Sequence, residues 1–90
     1  MADIQALLGQ ARELYGVFGK SERALAVVVR ALASAPDDVE ALNLKAAILY
    51  DLDRDDEARD DHLRALAVEP CSVEALDGLA ALAYDRRQYT

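Results

Sequence analysis

Ninety residues bound a single small domain with a modest core. A net charge of −7 argues against nucleic-acid and anionic-membrane partners, since both demand a cationic surface. No apolar run reaches the roughly 18 residues of a membrane span, the start Met1-Ala2-Asp3-Ile4-Gln5 has no leader-like character, and the lone Cys71 cannot close an intrachain disulfide, so a cytoplasmic protein is expected.

Apolar spacing and stop signals predict five helices and no strand. The first runs roughly from Asp3 to Gly16, and Gly16 and Gly19 bracket a turn. Ser21 is placed to cap the second, which runs roughly from Glu22 to Ser34 and is ended by Pro36, a residue with no backbone N–H. Asp38 is placed to cap the third, which reaches about Leu52. Asp53-Arg54-Asp55 forms the next turn, and the fourth helix spans about Asp56 to Val68, ahead of Pro70. Ser72 is placed to cap the fifth, which extends at least to Asp85.

The chain repeats itself. Arg30-Ala31-Leu32-Ala33 returns as Arg64-Ala65-Leu66-Ala67, and Val39-Glu40-Ala41-Leu42 returns as Val73-Glu74-Ala75-Leu76. Pro36 and Pro70 set the offset at 34 (70 − 36), and it also pairs Ala24 with Ala58, Ala46-Ala47 with Ala80-Ala81, and Tyr50-Asp51 with Tyr84-Asp85. Such self-similarity is the signature of a repeat architecture.

A helix-turn-helix unit of this period resembles the tetratricopeptide repeat. In the middle unit Leu42, Ala46, Leu49, Ala58, Ala65 and Pro70 stand at the family's pattern positions. In the first, Leu8, Tyr15, Gly19, Ala24, Val28, Ala31 and Pro36 do so, and in the last, Leu76, Leu79 and Ala80. The resemblance implies an all-α fold of antiparallel helix-turn-helix repeats stacked as a short right-handed α-solenoid of five helices. Repeat 1 covers about 5–38, repeat 2 about 39–72 and a partial repeat 3 about 73–90 of one domain, 1–90. Departures from the pattern are Arg12 at the small-residue position of the first unit, Lys45 at a helix contact, Asp53 for the turn glycine and His62 for a large apolar residue. Lys45 is expected to pack its stem while its ammonium reaches solvent.

No residue constellation points to catalysis, so the chain is read as not an enzyme, with no cofactor. His62 and Cys71 have no third orienting group near them in sequence, and a nucleophile–base pair needs one. His62 is instead expected against the apolar interface between units, without a metal. Asp51-Leu52-Asp53-Arg54-Asp55-Asp56-Glu57 resembles a calcium loop only briefly. Its sixth and twelfth positions are Asp56 and His62, where glycine and a bidentate glutamate are required.

The helical face of Glu40, Asn43, Ala47, Tyr50 and Asp51 repeats as Glu74, Asp77, Ala81, Tyr84 and Asp85. The resemblance implies that these positions line a concave groove, which would then be acidic with aromatic and small apolar patches. The expected function is a protein–protein interaction module, of adaptor, scaffold or co-chaperone type, binding a basic or mixed basic and apolar segment through Glu40, Asn43, Tyr50, Asp51, Glu74, Asp77, Tyr84 and Asp85. The alternative is an assembly or dimerisation segment, or a regulatory domain of a larger protein. It rests on the apolar stripe of the fifth helix, with Leu79 and Leu82 expected to be exposed and to join two copies.

Overall fold

A computed structural model describes residues 3–88, and the side chains of residues 3–84. The described residues form five helices and no strand: α1 (Ile4–Tyr15), α2 (Ser21–Ser34), α3 (Val39–Asp51), α4 (Asp55–Val68) and α5 (Val73–Gln88). Helices adjacent in sequence pack on one another, most extensively within the pairs α1–α2 and α3–α4, and α3 also touches α1 and α5. The molecule measures 45 × 31 × 17 Å, so it is about two helices thick along its shortest direction. No described helix is long and apolar enough to cross a membrane.

Three helices start on side-chain caps, which satisfy amide groups that have no partner inside the helix. The Asp3 carboxylate accepts from the amides of Gln5 and Ala6, at 3.0 and 3.3 Å. Asp38 accepts from the Ala41 amide at 2.9 Å, and the Ser72 hydroxyl accepts from the Ala75 amide at 3.3 Å. The other two helices start differently. Ser21 is the first residue of α2 rather than its cap; Lys20 precedes it without a side-chain cap, and the Ser21 hydroxyl donates instead to Asp51 at the end of α3. Arg54 precedes α4 and pairs with Glu57 one turn on.

The turns repeat in geometry even where their residues differ. Gly19 and Asp53, 34 positions apart, both have positive φ, 81° and 61°. Asp53 tolerates the left-handed conformation better than most non-glycine residues, so the turn forms without glycine. Before each proline the backbone leaves the helical region, at φ −140° for Ala35 and −133° for Glu69, as crowding by the proline ring requires. The amides of Asp38 and Ser72 then bond back to the carbonyls of Ala35 and Glu69.

The core is built from the repeated small and branched residues. Leu8 and Leu42, Ala24 and Ala58, Ala31 and Ala65, and Ala41 and Ala75 are all buried. Alanine at these contacts lets the helix axes approach. In α1 that role falls to buried Ala11, so Arg12 does not splay the pair; its guanidinium turns outward and bonds the Glu40 carboxylate on α3. Lys45 does not simply reach solvent, because its ammonium lies 3.4 Å from the Asp61 carboxylate. Phe18, one repeat before Leu52, is fully exposed, whereas Leu52 packs against the first core cluster.

The C-terminal edge departs from expectation. Leu82 is only 7% exposed and packs with Ala46, Leu49 and Ala58, because α5 lies in the angle between α3 and α4. Leu79 is half-buried, and the exposed leucine of that helix is Leu76, at 51%. Leu82 is therefore interior rather than a surface for a second copy.

Candidate functional site

The repeated faces of α3 and α5 converge with the end of α1 on one cleft of about 360 Å³. Its walls carry Tyr15, Asn43, Ala47, Tyr50, His62, Glu74, Asp77, Gly78, Ala81 and Leu82. Two pairs, Asn43 with Asp77 and Ala47 with Ala81, stand one repeat apart. The same position in successive units thus faces the same space. The small residues leave the volume open, the phenol rings supply apolar area, and Glu74 and Asp77 supply negative charge. Among the described residues none that lines it is cationic.

Beneath the cleft lies a polar chain joining α3, α4 and the cap of α5. Asn43 Nδ2 donates to Ser72 Oγ at 3.1 Å, and Asn43 Oδ1 faces His62 Nδ1 at 2.9 Å. All three residues are buried. With the asparagine oxygen toward the imidazole, Nδ1 of a neutral His62 carries the proton and donates it. His62 occupies the place that buried Val28 holds one repeat earlier, and Asp61 that of buried Val27. The second unit therefore puts two titratable groups where the first has only aliphatic ones.

Burial sets their protonation. Desolvation pushes the His62 imidazole below its ordinary pKa of 6.5, while the negative charges of Asp61 and Glu74 work the other way. Desolvation also raises Asp61 above the usual carboxylate value, opposed by the nearby Lys45 ammonium. Across the cleft, partial burial and then the Asp51 carboxylate raise the Tyr15 phenol.

The eight residues expected to line a groove divide. Asn43, Tyr50, Glu74 and Asp77 line the cleft together. Asn43 is buried and holds Ser72 and His62, so its amide is already engaged rather than presented to a ligand. Glu40 is paired with Arg12 and borders a neighbouring depression with Val39, Glu69 and Ser72. Asp51 accepts from Ser21 and faces the α1–α2 turn. Tyr84 is exposed beyond the lining, and the side chain of Asp85 lies outside the described residues. Of the two residues expected to join copies, Leu79 and Leu82, both border a second groove, with Asp55, Asp56, Arg59, Leu63 and Ala83.

Four lining residues were not anticipated as groove residues: Tyr15, His62, Gly78 and Leu82. The offset of 34 equates Tyr15 with buried Leu49, which points to packing. The expected interior place of His62 is observed, but with Asn43 as its partner rather than among apolar groups alone. Among the described residues no three His, Cys, Asp or Glu side chains converge as metal ligands. Comparison of the chain with protein-family models, with curated proteins and with solved structures gives no match.

Proposed function

We propose that this chain is a protein-interaction module of tetratricopeptide-like design, which receives a basic or mixed basic and apolar segment of a partner protein in the α1–α3–α5 cleft. The carrying observation is the convergence of repeat-equivalent positions, Asn43 with Asp77 and Ala47 with Ala81, on one open acidic space. Helical repeats bind through faces built in this way. The tyrosines contribute anchoring area, since an aromatic ring offers much contact surface for few frozen torsions. The carboxylates select a basic partner and hasten encounter more than they add affinity.

A display selection against the 90-residue chain tests this reading. Enriched peptides are expected to carry Lys or Arg beside apolar residues, to shift the amide resonances of Ala47, Asp77 and Ala81, and to lose binding to Asp77→Lys. Enrichment of acidic peptides, or of binders that map to the opposite face, overturns it.

A second reading, pairing of two copies, is favoured by the groove between α4 and α5 of about 280 Å³, where Leu63 is exposed. It rests on Leu63 and Leu79, since Leu82 is interior. Sedimentation at tens of micromolar, with Leu63→Glu as the disrupting change, separates the two.

A further inference from the structure

The cleft has a chemical bias beyond its net charge. Beside the phenols of Tyr15 and Tyr50 and the engaged amide of Asn43, its polar lining presents hydrogen-bond acceptors: two carboxylates from α5 and the imidazole of His62 in its neutral form. The orientation of Asn43 assigns the imidazole proton to Nδ1, which leaves Nε2 with a lone pair and no proton. His62 is 5% exposed, it lines the cleft, and among the described residues nothing bonds Nε2. Gly78, another lining residue, packs beside the imidazole, and only its lack of a side chain leaves room for Nε2, which a β-carbon there would approach to 2.1 Å.

A ligand that meets acceptors must bring donors. Among the described residues the lining has carboxylates and phenol rings but no cation, so a positively charged group with several N–H donors fits, and a carboxylate or phosphate does not. A cleft of about 360 Å³ suits one long side chain rather than a folded element.

We propose that the cleft seats a single arginine or lysine side chain of the partner, and that the proton on His62 decides whether the seat is open. This rests on the cleft being the binding site, as argued above. With His62 neutral, Nε2 accepts and the two carboxylates attract. Protonation places an N–H donor and a positive charge at the same point. The new charge repels the incoming cation and turns Glu74 and Asp77 toward itself.

The charged and titratable groups around His62 are Asp61 on its own helix, with Lys45 of α3 paired to Asp61, and Glu74 and Asp77 of α5. Tyr50 of α3 and Tyr15 of α1 share the cleft with it. The imidazole is the side chain whose ordinary titration falls between about pH 5 and 8, so His62 is the group whose proton is followed. The result is a cation receptor that releases on mild acidification, although its net charge stays negative.

His62 is the chain's one histidine, so its ring protons report directly. The probe is N-acetyl-arginine amide, with the neutral isostere N-acetyl-citrulline amide as control, titrated by NMR between about pH 5 and 8. Saturation with the arginine probe is expected to lower the His62 midpoint by about one pH unit, and affinity is expected to fall about tenfold as His62 protonates, since the two are linked quantities. The citrulline probe is expected to do neither. Glu74→Gln, an exposed change that leaves the buried chain intact, is expected to weaken the arginine probe.

A His62 midpoint that the arginine probe leaves in place overturns the proposal, as does a His62 that stays neutral down to pH 5. So does a nitrogen spectrum showing the proton on Nε2, which would mean that Asn43 is turned the other way. If selected peptides seat in the cleft but tolerate arginine-to-citrulline replacement, the cation seat fails while the interaction module stands. If selected peptides seat elsewhere, both fail.

Discussion

Gly78 on α5 and His62 on α4 share one space: a β-carbon at Gly78 would lie 2.1 Å from Nε2 and 2.4 Å from Cε1 of the imidazole. The ring cannot step aside cheaply, because it is buried and its other nitrogen is held by Asn43. The missing side chain is what lets α5 settle against α4 at this level.

Gly78→Ala is therefore expected to destabilise the fold. On an unobstructed helix the change would gain about 1 kcal/mol of propensity. Here overpacking opposes it by about 1–3 kcal/mol. Pairing it with His62→Val, which restores the residue type found one repeat earlier, is expected to recover the loss. Urea denaturation of the single and double variants measures both, and a Gly78→Ala chain more stable than the parent would show that the helices are not in this contact.

The burial of His62 makes stability depend on pH. Its folded-state pKa is depressed below 6.5, so the unfolded chain binds the proton first on acidification. Its contribution to stability is complete above about pH 6.5 and declines as pH falls through the lower folded value. Glu74→Gln removes a charge that raises the imidazole pKa, so the NMR midpoint of His62 is expected to move further down in that variant. An upward move would mean that Glu74 does not face the ring.

Asn43 ties α3 to α4 and to the cap of α5, and its loss strands buried His62 Nδ1 and leaves Ser72 Oγ with the Ala75 amide alone. Asn43→Ala is expected to lower stability by about 1–3 kcal/mol, the range for leaving buried polar groups unsatisfied. A double-mutant cycle with His62→Ala is expected to give coupling of about 0.5–3 kcal/mol, because the residues act as one unit. Strict additivity would show that the 2.9 Å contact contributes nothing.

Much of this architecture was legible in the sequence, because its determinants are local and repeated. Pro36 and Pro70 end helices by removing donors, Asp38 and Ser72 cap the next ones, and alanines at 24, 31, 58 and 65 mark close helix contacts. The polar face at 43, 47, 50, 74 and 77 was legible for the same reason. What escaped was set by tertiary partners. Nothing local says that Ser21 bonds Asp51 across 30 positions instead of capping its own helix, or that Arg12 reaches Glu40. Periodicity alone also cannot tell that α5 would lie deep enough to bury Leu82 and bring Gly78 onto His62.

That depth yields the last expectation. Leu82 and Leu76 sit on the same helix and are chemically identical, yet one is 7% and the other 51% exposed. Leu82 contacts Ala46, Leu49 and Ala58, two of them small residues that cannot expand into a vacated space. Leu82→Ala should then leave a cavity and lower stability by about 2–5 kcal/mol, toward the lower end because the site sits at the edge of a small core. Leu76→Ala should change stability by less, within about 1 kcal/mol, since half of that side chain is already in water. If Leu82 were a surface for a second copy, its replacement would change the oligomeric state and spare the fold of the monomer. Denaturation and sedimentation of both variants at one concentration distinguish these cases. A Leu82→Ala chain that unfolds at the parent's midpoint, but with an altered sedimentation coefficient, would return Leu82 to the surface.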